Sequence, residues 1–163
     1  MKHILSALVE NKPGVLAHVA GMFAARAFNI DSLVVGRTED PALSRMTIVV
    51  IGDDRVVEQV RKQLAKIVPV VKVQDFAGRP VVARDLMLIS IASPPEKRSE
   101  LFSLVEMFRG KVVDIGPKLL MVEVSGPESK IEAFINACRP YGIKNTARTG
   151  TIAMPRQGGE GGS

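Results

Sequence analysis

The stretch KHILSALVENKPGVL, Lys2 to Leu16, sets the reading of the whole chain. Its first nine residues carry Ile4, Leu5, Leu8 and Val9 and read as a strand. Asn11-Lys12-Pro13-Gly14 is a turn signal. From Gly14 the period changes, and Val15, Leu16, Val19, Ala20, Met22, Phe23 and Ala27 form one broad stripe at helical spacing. The next residues complete a unit. Ile30 to Arg37 is rich in β-branched residues and reads as a strand, Thr38 to Leu43 with Asp40-Pro41 as a loop, and Ser44 to Ile51 as a third strand. Gly52-Asp53-Asp54 opens a second helix with acids where its dipole favours them. That helix carries the stripe Val56, Val57, Val60, Leu64 and Ile67, and Val68 to Phe76 is a fourth strand.

Gly78-Arg79-Pro80 interrupts the pattern, and the same order begins again. Arg84 to Ala92 reads as a strand, Ser93-Pro94-Pro95-Glu96 as a turn, and the following helix turns Leu101, Phe102, Val105 and Phe108 inward. Lys111 to Gly116 and Leu119 to Ser125 are strands around Pro117-Lys118. Gly126-Pro127-Glu128 opens a helix with Ile131, Phe134, Ile135 and Cys138 inward, and Ile143 to Ala153 supplies a last strand. The expected fold is therefore α+β: two tandem ferredoxin-like βαββαβ units, residues 1–77 and 78–155. The tail, 156–163, holds four glycines and is expected to be disordered.

Composition narrows the function. The 163 residues are 46% apolar and 24% charged, the balance of a globular protein. The longest apolar runs fall far below the ~20 residues that span a bilayer. No signal peptide is read at the N-terminus, and one cysteine cannot form an internal disulfide, so a cytoplasmic location is expected. The formal charge of +5 is spread along the chain, with ten basic against eight acidic residues up to Ala77 and twelve against nine beyond. No run resembles a nucleic-acid arm or a polybasic membrane anchor. Two histidines, His3 and His18, and the single Cys138 are too few for a metal centre. No Gly-x-Ser-x-Gly, P-loop or His-Glu-x-x-His motif is present, so no catalytic site is expected. The same fold order serves RNA binding, but that mode stacks bases on aromatics of the central strands, and neither the first nor the third strand contains one.

Two features point to a binding protein. A helix N-terminus after Asn11-Lys12-Pro13-Gly14 offers unpaired N–H groups to a carboxylate, and Gly14 allows close approach to the backbone. Asn11 carries both a donor and an acceptor, and Val15 and Leu16 could supply apolar wall. Taken alone, the turn reads first as a simple turn with a proline near the start of a helix. The second feature is Asn29-Ile30, at the head of a strand that this fold order places at a sheet edge. Ile30, Leu33, Val34 and Val35 make that edge apolar, which invites pairing with another chain. Two-fold pairing there would bring Asn29 of one chain near the Asn11–Gly14 turn of its partner.

The run Glu10-Asn11-Lys12-Pro13-Gly14-Val15-Leu16 with Phe28-Asn29-Ile30-Asp31-Ser32-Leu33 resembles ACT domains. With Leu43-Ser44-Arg45-Met46-Thr47, Gly52-Asp53-Asp54, Gln63 to Val70 and Phe108-Arg109-Gly110-Lys111-Val112-Val113-Asp114, the chain up to about Pro155 is similar to the small, regulatory subunits of acetolactate synthase. That resemblance implies a chain without its own cofactor. Thiamine diphosphate, Mg and FAD are expected in a large catalytic subunit that joins two 2-keto acids in branched-chain amino-acid synthesis. The small subunit is expected to stimulate that enzyme and to confer feedback inhibition by valine or a related amino acid. It implies a homodimer through the ACT domains, with the effector between them at Asn11, Gly14, Val15 and Leu16 on one side and Asn29 and Ile30 on the other. The turn Ser93-Pro94-Pro95-Glu96 lacks backbone donors at its prolines and adds a carboxylate, so the second unit is not expected to bind an amino acid there. A free-standing ACT-domain amino-acid sensor with another partner is the alternative, and a small enzyme with an unrecognised site is a third reading.

Overall fold

The computed structural model of the chain describes residues 1–157. It divides into two compact units, one of Met1–Val82 with Thr151 onward, the other of Ala83–Gly150. Residues 158–163, most of the tail expected to be disordered, lie outside the described residues.

The first unit runs β1 (Lys2–Glu10), α1 (Val15–Ala25), β2 (Asn29–Arg37), β3 (Leu43–Ile51), α2 (Asp54–Ala65) and β4 (Val70–Asp75). Its sheet has the order β2-β3-β1-β4, with every neighbouring pair antiparallel. This is the βαββαβ arrangement expected from the sequence. The period of two in β1 sends Leu5, Ala7 and Val9 to one face. There they join Met46, Ile48 and Val50 of β3, with which Ala7, Leu5 and His3 are paired in register. Val15, Val19, Met22 and Phe23 of α1 and Val57, Val60 and Leu64 of α2 close over that face. Spacings of three and four residues put each set on one helical stripe.

The helix ends follow from local chemistry. The Asp53 carboxylate accepts from the Val56 N–H at 3.0 Å and caps α2. Helix α1 is stopped by Ala27, whose φ of 53° lies in the left-handed region.

The second unit repeats the order with β5 (Val81–Ala92), α3 (Arg98–Met107), β6 (Lys111–Ile115), β7 (Leu119–Gly126), α4 (Glu128–Cys138) and β8 (Ile143–Arg148). Its strands run β6-β7-β5-β8, the same permutation as the first sheet. Met87, Ile89 and Ile91 of β5 face Leu120, Val122 and Val124 of β7 beneath Leu101, Val105, Ile131 and Phe134. Cys138 lies in this core with no exposed surface, and burial pushes its thiol up to about 11. At neutral pH it is a small apolar side chain and not a nucleophile.

The last strand departs from expectation. Ile143 to Ala153 reads as one strand, but the chain breaks at Thr149-Gly150 and resumes as β9 (Ile152–Pro155), which pairs with β5. Gly150 takes a φ of 89°. The cause is Asp85, 2% exposed, whose Oδ2 accepts from Arg148 Nε at 3.0 Å and Nη2 at 2.6 Å. Its Oδ1 accepts from the Gly150 N–H at 3.3 Å. Satisfying a buried carboxylate outweighs continuing a ladder, and the turn forms around it.

Two stability outcomes follow. Arg148→Met removes one partner of the Asp85 carboxylate and should cost roughly 3 kcal/mol in denaturant unfolding. Gly21 sits within α1, and a Cβ there would meet nothing within 4 Å. Gly21→Ala should therefore raise stability by about 0.5–1 kcal/mol.

Candidate functional site

The turn between β1 and α1 is built from backbone outward. The Glu10 N–H donates to the Pro69 carbonyl at 2.9 Å and the Asn11 N–H to the Ala42 carbonyl at 2.8 Å, so the neighbouring loops hold both sides of the turn. Gly14 is the N-cap of α1 with φ 83° and ψ −7°, a left-handed conformation that favours glycine. It has no side chain to cap the helix. The first intrahelical bond is from the His18 N–H to the Gly14 carbonyl, at 3.0 Å. The N–H groups of Val15, Leu16 and Ala17 therefore have no intrahelical acceptor.

Among the four α-helices this N-terminus stands apart. Helices α2, α3 and α4 carry Asp54, Glu100 and Glu128 in their first turns, and α1 carries no acid there. Its dipole is left uncompensated at the point where the backbone is most open, the electrostatics that suit a carboxylate.

The side chains expected at the site divide into three groups. Asn11 is exposed, and its Nδ2 donates to the Pro41 carbonyl at 3.1 Å, so the loop before β3 orients the amide. This partner is a backbone oxygen thirty residues away, which no local pattern in the sequence could have disclosed. Leu16 is 47% exposed and remains available as apolar wall. Val15 is not: it is 5% exposed and packs into the core, so it can offer its N–H but no wall. The expectation of a Val15 side-chain contact is corrected accordingly.

Asn29 and Ile30 form the head of β2, an edge strand. Asn29 is exposed and Ile30 packs half-buried against the core. Register places them away from the turn in the same chain. Asn29 lies across from Ile51, which lies across from Lys2, so Asn29 is level with the start of β1 while Asn11 follows its end. At about 3.3 Å per residue the two are roughly 30 Å apart along the strands. A second β2, pairing antiparallel with the first, reverses that direction. Centred on the middle of the strand, such pairing would set its Asn29 near the end of the sheet that bears the turn. One chain thus contains the two halves of the expected site at opposite ends, and two-fold antiparallel pairing of β2 would bring halves from different chains together.

The β2 edge suits such pairing. Asp31, one of its two charged residues, is bonded to Lys2 Nζ at 3.1 Å. A bulge between Ile30 and Ser32 leaves Ser32 to Arg37 in regular register with β3. Val35 is 41% exposed along this edge.

The corresponding turn of the second unit is closed on itself. Pro95 to Lys97 forms a 3₁₀ turn, and Ser93 is fully buried. Arg98 Nη2 donates to the Ser93 carbonyl at 3.1 Å and the Gly116 carbonyl at 2.7 Å, and its Nε donates to Ser93 Oγ at 3.2 Å. The guanidinium of the chain itself binds this turn.

Among the described residues no group of three or more His, Cys, Asp or Glu is placed to hold a metal ion, and no helix is long and apolar enough to cross a membrane. His3 is buried and its Nε2 lies 3.8 Å from Asp54 Oδ1, while His18 is exposed on α1.

Comparison with known proteins identifies the family. Residues 5–72 match the model of the acetohydroxyacid synthase small subunit-like ACT domain, and residues 84–157 match that of the small subunit of acetolactate synthase. A probable acetolactate synthase small subunit of Archaeoglobus fulgidus is 54% identical over 96% of this chain and 98% of its own. The acetolactate synthase small subunit of Aquifex aeolicus is 47% identical over 96% of this chain and 82% of its own. The crystal structure of the acetolactate synthase small subunit from Thermotoga maritima superposes with a TM-score of 0.88 at 45% identity, covering 96% of this chain and 98% of that one. With an ACT-type first unit, a second unit matching the same family and similarity along nearly its whole length, the chain belongs to the family of small, regulatory subunits of acetolactate synthase.

Proposed function

We propose that the chain stimulates a thiamine-diphosphate-dependent acetolactate synthase catalytic subunit and makes it sensitive to valine, or a close branched-chain relative, bound between two ACT units. The observation that carries this reading is the uncapped, acid-free N-terminus of α1 at Gly14, with Asn11 oriented beside it. The ligand carboxylate accepts from the N–H groups of Val15 to Ala17, and Asn11 Oδ1 or Asn29 of the partner chain accepts from its ammonium. Leu16 lies against the aliphatic side chain, and Ile30 supports Asn29 from the core. The cofactors and the carbon–carbon bond chemistry belong to the catalytic subunit. Because the ligand touches two chains, its binding also stabilises the dimer by mass action.

The purified chain is expected to have no acetolactate synthase activity and to raise that of its cognate catalytic subunit on mixing. Absence of stimulation would favour a free-standing amino-acid sensor. Val35→Lys, at the exposed β2 edge, should shift the dimer toward monomer in sedimentation. An unchanged dimer would reject pairing through β2.

For the ligand, calorimetry with valine decides. Gly14→Asp sets a negative charge against the carboxylate and should weaken binding at least tenfold, ~1.4 kcal/mol. Asn29→Ala should cost about 0.5–1.5 kcal/mol. Both variants should still stimulate the catalytic subunit. Glu96→Ala, in the second unit, should leave the affinity unchanged, and a large loss there would move the site.

A further inference from the structure

Helix α1 contains no Asp, Glu, Lys or Arg, although much of its surface is open to solvent. Leu16, Ala17, Ala20, Gly21, Ala24 and Ala25 are all exposed. A helix at a protein surface ordinarily carries charge on its outer face. Depletion of charge at the centre with polar groups around it is instead the composition of an interface. A groove of about 410 Å³ runs between α1 and the C-terminal end of α2. Gly21, Met22 and Ile67 line it together with the cationic or ionisable side chains of His18, Arg26 and Lys66. A second hollow of about 400 Å³ continues it past Arg26 to Phe28. Among the described residues no carboxylate lines either hollow. Four other cations of this unit are paired with acids: Lys2 with Asp31, Lys12 with Glu10, and Arg61 and Lys62 with Glu58. Arg26 and Lys66 have no such partner among the described residues, and they flank one groove.

We propose that this groove is a docking surface for an acidic segment of the catalytic subunit. The inference rests on the function proposed above and assigns that function a surface. The apolar floor takes up the aliphatic side chains of the segment, and Arg26 and Lys66 receive its carboxylates at the two ends. The small residues of α1 let its backbone come close. A second copy of this chain is the poorer occupant, because the chain carries a net charge of +5 and would set like charges together. The effector turn is separate: Asn11, Gly14, Val15, Leu16, Asn29 and Ile30 do not line the groove.

The test uses the full-length chain and its cognate catalytic subunit. Arg26→Glu with Lys66→Glu reverses the charge of the groove, and Gly21→Gln fills its floor from a position where a Cβ meets nothing within 4 Å. Each variant should bind the catalytic subunit at least tenfold more weakly. The wild-type affinity should fall as salt rises, and that dependence should flatten in the double variant. Dimerisation and calorimetric valine binding should be unaltered, which separates a lost surface from a lost fold. Wild-type affinity in both variants, with stimulation intact, would overturn the groove and leave the function standing. A wild-type chain that neither binds nor stimulates the catalytic subunit would overturn both. Inorganic tripolyphosphate serves as a second probe: if the double variant loses tripolyphosphate binding but keeps the catalytic subunit, the groove holds small anions and the docking proposal fails.

Discussion

The antiparallel pairing of β1 with β3 is the constraint from which the first unit follows. It is an unbroken ladder from Lys2 opposite Ile51 to Glu10 opposite Leu43. Its register aligns Leu5, Ala7 and Val9 with the inward residues of β3, so the two central strands present one apolar face. A slip of one residue would turn every one of these side chains to the opposite face. Both helices must lie on the face so made, because their own stripes have nowhere else to be buried. The chain then leaves β1 at the edge of the helical layer, which is why α1 begins at the sheet's end with its N–H groups clear of the core.

The same ladder sets Asn11 and Asn29 apart. Strands β1 and β2 both pair antiparallel with β3, so they run parallel to one another, and residues at the end of one and the start of the other are a strand's length apart. No side-chain rearrangement inside one chain overcomes that distance. A ligand that needs both Asn11 and Asn29 is therefore a ligand for a pair of chains. Under the function proposed above, coupling between ligand and assembly would follow from topology, without a moving part.

Much of this was legible in the sequence, for identifiable reasons. The apolar and β-branched runs of the strands, the turn residues between them and the stripes of the helices are strong local signals, and the element order of both units follows from them. The Asn11–Gly14 turn was legible because proline and glycine mark backbone geometry directly. The burial of the Val15 side chain was not legible, because a residue just inside a helix is read by type and only the packing of α1 on the sheet turns it into the core. The break at Thr149-Gly150 was missed because its cause, the buried Asp85 carboxylate, lies sixty-five residues away from Gly150 in the chain. Asn11 meets Pro41 in the same non-local way. Contacts between elements, unlike periods within them, leave no local trace.

Arg98 gives the second unit a different standing. Its guanidinium gathers the carbonyls of Ser93 and Gly116 with the hydroxyl of Ser93, and so completes the turn from within. None of these groups belongs to the apolar cluster formed by Met87, Ile89, Ile91 and their neighbours. Turn and core are thus separate: one copy of the unit leaves its turn open and the other fills it from within, on an identical strand order. A tandem chain of this kind can open or close such a turn by substituting a handful of loop residues. The energetic burden of such a change falls on the turn alone, and the framework that displays it is inherited intact.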